Sequence, residues 1–181
     1  DEIASTNFAE LSLSYLWSDA MVVEVNPPLY YSLLKAWRFL FGDSDVAARL
    51  MSATLGVGGL AVSYLLGRQV AGTKVGIVAA ALTAVSPAHV LYSQQVRNYI
   101  LAFDFAGLAL LGALVFCSAA ASPDDHRRRK AGAALYATSC VGAVYCHTTL
   151  VLLPLFTTVF VLWWIAVRGY DRGRSVVTFM L

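Results

Sequence analysis

The sequence predicts an all-α polytopic transmembrane helix bundle with about five spans, and two observations support that prediction. First, 59% of the residues are hydrophobic and only 13% are charged, with a mean hydropathy of +0.66. A protein that exposes most of its surface to water is rarely so apolar. Second, nine of the thirteen Lys and Arg residues fall in three short breaks between long uncharged runs.

The distribution of charge also predicts how the bundle is oriented. By the positive-inside rule, the basic breaks face the cytoplasm. They contain Arg68 and Lys74, then Arg127 to Lys130, then Arg168, Arg172 and Arg174. The opposite side receives residues 1–45, which carry seven of the eleven acidic residues, together with the loop 92–99 and the turn at His147. We therefore expect the chemistry of this protein to take place on the outer side.

Residues 1–48 are predicted to form an extracytoplasmic loop that contains two amphipathic interfacial helices. In the first, apolar residues recur at helical spacing over Phe8–Leu16, while acidic residues occupy the other face. The second begins at Pro27-Pro28 and ends at Gly42. At roughly 21 Å it is too short to cross a bilayer, and its Tyr, Trp, Lys and Arg side chains are typical of the membrane interface.

Residues 49–181 are predicted to be the transmembrane bundle. A helix needs about 20 residues to cross the hydrocarbon core. The stretch 131–167 has no formally charged residue and would extend roughly 55 Å as one helix, so we expect two spans with a turn at the polar residues 146–149. The predicted spans lie near residues 49–67, 75–92, 99–121, 131–146 and 149–167.

The first residues of the sequence bear on domain organisation. Asp1-Glu2 lacks the positively charged lead and short apolar core of a signal peptide. Because a start on the outer side needs a preceding span, we expect the chain to be a fragment of a larger membrane protein. We do not expect its 181 residues to catalyse a reaction alone.

Composition disfavours two classes of function. The formal charge of +2 is too small to indicate a nucleic-acid partner. Cys117, Cys140 and Cys146 lie in apolar runs without CxxC spacing, so they indicate packing rather than redox chemistry or metal binding.

Short motifs occur in an order that resembles a known enzyme family. They are Asp1-Glu2, Asn26-Pro27-Pro28-Leu29-Tyr30-Tyr31, Phe41-Gly42-Asp43-Ser44, Ala48-Arg49-Leu50-Met51-Ser52-Ala53, Leu65-Leu66-Gly67-Arg68, Ser86-Pro87-Ala88-His89 and Tyr92-Ser93-Gln94-Gln95-Val96-Arg97-Asn98-Tyr99. This order resembles the C-type (GT-C) integral membrane glycosyltransferases. More narrowly, it is similar to the bacterial and archaeal relatives of protein O-mannosyltransferases and lipid A aminoarabinose transferases. The resemblance runs along the whole chain but covers only part of such an enzyme.

The resemblance implies a glycosyltransferase that moves a sugar from a polyprenyl-phosphate-linked donor to an acceptor protein, lipid or glycan. It also implies an integral plasma membrane protein of a prokaryote whose active site faces outside. A carboxylate must accept the proton of the acceptor hydroxyl, and Asp1 matches the family's catalytic position. Glu2 is predicted to orient the acceptor or to help bind a metal ion, and a divalent cation stays open as a cofactor. The alternative is that both acids are simply solvated.

The donor phosphate gains negative charge as the glycosidic bond breaks, so a cation or hydrogen-bond donor is expected beside it. Arg97 is the candidate, because it is the only basic residue of its loop and matches an Arg of the family. Its alternative role is an interfacial anchor. Further predicted contacts with the donor phosphate or sugar are Asn26, Tyr99, Gln94 and His147. Asn26 stands where relatives often have His or Lys, so it can hydrogen-bond a phosphate but cannot neutralise it.

The sequence also places one carboxylate, Asp104, inside a predicted span, and it leaves two alternative functions open. Asp104 is predicted to form a structural ion pair with Arg97, because seven residues make almost two helical turns, and a role in the site is the alternative. A membrane transporter and a non-catalytic scaffold are the alternative functions. The sequence shows no convincing internal repeat and no Gly/Pro-interrupted pair of spans, which transporters often have. A scaffold would leave the acidic pair without a purpose.

Overall fold

The computed structural model describes residues 2–19, 26–120 and 125–168. Within these ranges all regular structure is helical, which confirms the predicted all-α membrane protein. The α-helices are α1 (Glu2–Glu10), α2 (Leu13–Leu16), α3 (Leu29–Phe41), α4 (Asp45–Ala71), α5 (Thr73–Ala84), α6 (Pro87–Gln94), α7 (Tyr99–Ala120), α8 (His126–Cys146) and α9 (Leu152–Arg168). A short 3-10 helix, Thr148–Val151, precedes α9.

Helices α1 to α3 pack on one end of the bundle, where α4 and α7 begin and α8 ends. Tyr30 and Leu34 of α3 are completely buried. They share one apolar cluster with Met51 of α4, Leu101 of α7 and Cys146 of α8. The helices that the sequence assigns to the first loop are therefore packed onto the bundle.

Helix α3 is delimited by prolines and a glycine, and it has two unlike faces. Pro28 caps its start, and Gly42 ends it with a φ of 94°, a left-handed conformation that favours glycine. The inner face contains the buried Tyr30 and Leu34, whereas Phe39 and Leu40 are 89% and 71% exposed. This amphipathic pattern is typical of a helix that lies in a membrane interface.

Charged side chains of α3 hold the end of α1. Lys35 Nζ donates hydrogen bonds to the carbonyl oxygens of Ala9 and Glu10 at 3.2 and 3.3 Å. Arg38 donates to the Thr6 carbonyl at 3.2 Å and pairs with the Glu10 carboxylate at 3.6 Å. The last four carbonyls of a helix have no partner within it, so Lys35 satisfies two groups that would otherwise need water.

Three segments of the described chain are long and apolar enough to cross a membrane: α4, α7 and Thr148–Val167. Helices α5 and α6 meet the same criterion only as a pair, bent by 61°. Pro87 causes this bend, because it lacks an N–H and Ser86 before it is extended, with a ψ of 120°. The stretch 75–92 is thus two helices rather than the single one expected, and the chain does contain one Pro-interrupted segment.

Helix α8 has the length of a span but a polar beginning. It contains 21 residues, and the basic residues of its first turns lower its hydropathy below that of α4 and α7. It ends at Cys146, next to the polar residues where a turn was expected. The number of membrane crossings stays a prediction.

Glycines bring the backbones of α7 and α8 into contact. A Cβ added at Gly132 would lie 2.6 Å from the backbone nitrogen of Phe116, and a Cβ at Gly112 would collide with the backbone of Tyr136. Only glycine permits this approach, which is a common way to pack helices in membranes. The two antiparallel helices are therefore packed backbone to backbone.

Candidate functional site

The loop between α6 and α7 carries Arg97 and is fixed on both sides of that residue. The Val96 N–H donates a hydrogen bond of 3.1 Å to Glu2 Oε1. The buried Asn98 side chain donates to the Cys146 carbonyl at 2.7 Å. Helix α1 and the end of α8 therefore determine where Arg97 lies.

Glu2 connects three parts of the chain through one carboxylate. While Oε1 accepts from Val96, Oε2 accepts a hydrogen bond of 3.0 Å from Arg49 Nη2. Arg49 lies in the first turns of α4, so the carboxylate joins α1, α4 and the Arg97 loop. Arg49 was not predicted to have a role, although it lies in one of the family-like motifs, because no local pattern pairs residues as far apart as Glu2 and Arg49.

Arg97 lies beside a row of three rings. Its Nη2 donates to the Tyr99 hydroxyl at 3.2 Å, and its guanidinium carbon is 5.4 Å from the centroid of the Tyr99 ring. The Tyr99 ring centroid is 4.9 Å from that of Tyr92 and 5.7 Å from that of His147. A guanidinium, two phenols and an imidazole thus line one polar surface.

The tautomer of His147 follows from its hydrogen bonds. Nδ1 accepts from the backbone N–H of Thr149 at 3.3 Å and lies 2.9 Å from the Thr149 hydroxyl. Because a backbone N–H can only donate, the neutral ring carries its proton on Nε2. Burial, and then the positive charge of Arg97, lower the pKa of His147. The neutral imidazole therefore dominates at neutral pH and offers Nε2–H as a hydrogen-bond donor.

A cavity of about 590 Å³ lies beside this polar surface. Its lining residues come from α5, α6, α7 and the turn before α9: Leu82, Thr83, Ser86, Ala88, His89, Tyr92, Tyr99, Ile100, Ala102, Phe103, Ala106, His147, Thr149 and Leu150. Along α7 it extends from Tyr99 to Ala106, which is roughly 10 Å of helix rise. The rings of Tyr92, Tyr99 and His147 form a polar group at one end, and the rest of the lining is mainly apolar, apart from Thr83, Ser86 and His89. The cavity therefore suits a ligand with a polar head and an apolar tail.

His89 and Asp104 lie on the α4 side of the cavity. His89 Nε2 is 3.0 Å from the Gly56 carbonyl oxygen. A Cβ added at Gly59 would lie 2.8 Å from His89 Cε1 and 2.9 Å from Asp104 Oδ1, so both side chains face the same glycine. Gly59 gives the space in which an imidazole and a carboxylate approach each other inside the bundle.

The predicted ion pair between Asp104 and Arg97 is wrong. Helix α7 begins at Tyr99, so Arg97 lies before the helix, and helical spacing does not apply to it. Asp104 is 8% exposed, and in the described part of the chain its Oδ1 has no hydrogen-bond partner.

The structure brings together only some of the residues predicted for the site. Arg97, Tyr99 and His147 are neighbours, with Glu2 bonded to the loop of Arg97. Gln94 is exposed at the end of α6 and Asn26 is half-buried before α3, and neither lines the cavity. Asp1, the predicted general base, lies outside the described residues, as do Arg172 and Arg174.

The described residues contain no group of three or more His, Cys, Asp and Glu side chains arranged to hold a metal ion. Both carboxylate oxygens of Glu2 are engaged by Val96 and Arg49. The buried Asn98, which holds the loop, was not predicted as a site residue, although it lies inside one of the family-like motifs. Burial and a bond to a distant carbonyl are properties that the motif does not reveal.

One family comparison decides what kind of protein this is. The sequence model of the dolichyl-phosphate-mannose-protein mannosyltransferase family matches residues 25–172. The chain belongs to this family. As a member of the mannosyltransferase family, it is an integral membrane glycosyltransferase, and the resemblance seen in the sequence is confirmed. The match includes every residue of the cavity lining and the Arg97 loop, whereas Asp1 and Glu2 precede it. No curated protein and no solved structure matches the chain significantly.

Proposed function

We propose that this family member transfers a sugar from a polyprenyl-phosphate-linked donor to an acceptor on the extracytoplasmic face of the membrane. The observation that carries this proposal is the cavity of about 590 Å³, which joins an apolar groove to polar side chains beside Arg97. A lipid-phosphate sugar has the same division into an apolar tail and a charged, hydroxyl-rich head.

Arg97 is the residue proposed to bind the donor phosphate. A guanidinium forms paired, charge-assisted hydrogen bonds with phosphate oxygens, and such bonds strengthen as the leaving group gains charge. The hydroxyl of Tyr99, which already accepts from Arg97, and the Nε2–H of His147 add neutral donors nearby. The aromatic rings of Tyr92 and Tyr99 give flat surfaces against which a sugar ring can pack.

The apolar part of the cavity is proposed to take the first units of the polyprenyl chain. Leu82, Ile100, Phe103 and Ala106 line it, and all belong to helices that meet the length and hydropathy of membrane spans, α5 within the bent pair. A lipid tail therefore reaches this wall from the bilayer without crossing water, which favours a membrane-borne donor over a soluble one.

Asp1 is proposed as the general base. The acceptor oxygen attacks the anomeric carbon, the bond from that carbon to the phosphate oxygen breaks with its electron pair, and the acceptor proton passes to the Asp1 carboxylate. The bond from Glu2 to the Val96 N–H supports this role, because it ties the residue next to Asp1 to the loop of Arg97. The donor contacts and the base would then act on opposite sides of one reacting carbon.

The proposed orientation agrees with the positions of charge along α8. His147 follows the last residue of α8, while Arg127 and Lys130 lie in its first turns. These two ends are about 30 Å apart along the helix, which is close to the thickness of the hydrocarbon core. The basic end facing the cytoplasm would place the cavity on the outer side.

The proposal is tested by sugar transfer from a panel of radiolabelled polyprenyl-phosphate sugars, with the full-length protein in membranes. We expect Asp1→Asn to abolish turnover while it retains donor binding, and Arg97→Ala to weaken donor binding about ten-fold or more. Arg127→Gln is the control, since it removes an exposed cation at the far end of α8. The proposal fails if folded wild-type protein transfers none of the sugars, or if Asp1→Asn transfers as fast as wild type.

A further inference from the structure

The start of α8 is a second polar region, at the end of the bundle opposite the cavity. His126, Arg127, Arg128 and Lys130 are exposed there, whereas Arg129 is only 4% exposed. Asp125 precedes the helix but makes no side-chain hydrogen bond to its first turn. Within the described ranges, the N–H groups of that turn therefore have no side-chain cap, and they form the positive end of the helix dipole.

Arg129 is a buried cation without a counter-ion in the described ranges. Its Nη2 lies 2.7 Å from His126 Nδ1, and because a guanidinium only donates, Nδ1 accepts and the imidazole is neutral in this pair. Neither Arg129 nor its neighbours on α8 belong to any ion pair between described residues. The Nε atom has no hydrogen-bond partner in the same part of the chain.

The position of this guanidinium indicates which kind of partner would stabilise it. The bond to His126, three residues earlier, directs it toward the first turn of α8. A buried charge is strongly unfavourable unless an opposite charge or several hydrogen bonds offset it. The uncapped N–H groups and the neighbouring cations present further donors on the same side. An anion at this turn would satisfy all of these groups together.

Two hydrogen bonds place the turn at the edge of the bilayer. Arg128 Nη2 donates to Gln69 Oε1 at 3.3 Å, and Gln69 Nε2 donates to the Ser118 hydroxyl at 3.0 Å. Gln69 lies near the end of α4 and Ser118 near the end of α7, two helices with the length of membrane spans. The first turn of α8 is therefore at the depth of lipid headgroups.

We infer that the first turn of α8 binds a phosphate-bearing anion, and that the headgroup of an anionic membrane lipid is its occupant. The first-turn N–H groups and the exposed Arg128 would bind the phosphate oxygens, and the buried Arg129 would neutralise the negative charge. Free inorganic phosphate shares this chemistry, so the test must separate the two sources. The inference is independent of the transfer reaction, since it concerns the opposite end of α8.

The experiment measures lipid retention by the full-length protein in nanodiscs, as the apparent affinity for phosphatidylglycerol relative to phosphatidylcholine. We expect Arg129→Gln to weaken phosphatidylglycerol retention about ten-fold or more and Arg128→Gln about five-fold, with Arg129→Lys retaining most of it. Arg127→Gln is the matched control, because it removes the same charge from the same turn and should change retention less than about two-fold. If Arg129→Gln does not fold, the inference is still tested by Arg128→Gln, which should weaken phosphatidylglycerol retention more than Arg127→Gln does.

Two outcomes overturn the inference. A diffuse attraction between basic residues and an anionic membrane would lower retention equally, about five-fold, in all three neutralised variants. Equal retention of phosphatidylcholine and phosphatidylglycerol by the wild type would also contradict an anion site. Displacement of the lipid by inorganic phosphate would support the site but assign it to a soluble anion, whereas retention in the presence of phosphate assigns it to the lipid.

Discussion

Replacing Glu2 separates a positioning role from a direct role in catalysis. The Glu2 carboxylate accepts the Val96 N–H at 3.1 Å and the Arg49 guanidinium at 3.0 Å. A hydrogen bond to a charged acceptor contributes about 1.5–3 kcal/mol. The Arg49 side chain is 60% exposed, so its ion pair contributes about 0–1 kcal/mol after solvent screening. The bond to the loop therefore dominates.

The two substitutions of Glu2 should differ, because they remove different bonds. Glu2→Gln keeps a carbonyl oxygen for the Val96 N–H and loses only the ion pair, so we expect kcat/KM to fall less than about five-fold. Glu2→Ala removes both bonds and leaves the buried Val96 N–H unpaired, so we expect a fall of about 10–100-fold. The assay is sugar transfer in membranes, with thermal unfolding in detergent as the measure of folding.

Arg49→Gln is the matched control for the ion pair, since it removes the partner guanidinium and leaves Glu2 in place. We expect Arg49→Gln to lower kcat/KM by about as much as Glu2→Gln does, because both substitutions remove the same ion pair. The reasoning is refuted if Glu2→Gln is as inactive as Glu2→Ala while Arg49→Gln keeps wild-type activity. That result would mean that the charge of Glu2 acts on the acceptor or on a bound cation.

Two further predictions concern stability. Burial and a nearby guanidinium lower the pKa of His147 below its ordinary value. The unfolded chain therefore binds a proton more readily than the folded protein, and the free energy of unfolding should fall as the pH drops below about 6.5. The thermal midpoints at about pH 5 and pH 8 should differ less in His147→Gln than in wild type, and an equal difference in the two proteins would contradict this. Gly132→Ala should destabilise the protein by about 2 kcal/mol or more in thermal unfolding, because its Cβ would lie 2.6 Å from the backbone nitrogen of Phe116. Gly58→Ala is the control, since its Cβ would meet only Asp104 Oδ2 at 3.6 Å, and equal losses in both variants would refute the packing argument.

Much of the helical architecture could be predicted from the sequence, because bilayer thickness and charge distribution constrain it directly. The run that became α7 was predicted to within a few residues for that reason. The bend at Pro87 was not expected, although the proline was visible in the sequence. An apolar run that contains a proline has the same hydropathy whether it is straight or bent, so hydropathy alone does not reveal the break.

Several single residues of the candidate site could be predicted from the sequence, but the contacts between them could not. Arg97 and Tyr99 were chosen from their motif, and the structure places them together. The pairing of Glu2 with Arg49 joins residues far apart in the chain, and the expected partner of Asp104 depended on where α7 begins. The first relation has no local signal, since it depends on how α1 and α4 pack, and the second fails because Arg97 lies before the first residue of α7.

The exposed end of α3 has a consequence for how substrates reach the site. Phe39, Leu40 and Phe41 are 89%, 71% and 55% exposed, and α4 begins only a few residues later, at Asp45. Large apolar side chains of this kind are stable in the outer part of a bilayer rather than in water. They would therefore hold α3 at a constant height relative to the lipid headgroups. If the proposed lipid-linked donor is the substrate, it would reach the site by lateral diffusion, whereas a folded soluble acceptor would have to bring an extended segment down to the membrane surface.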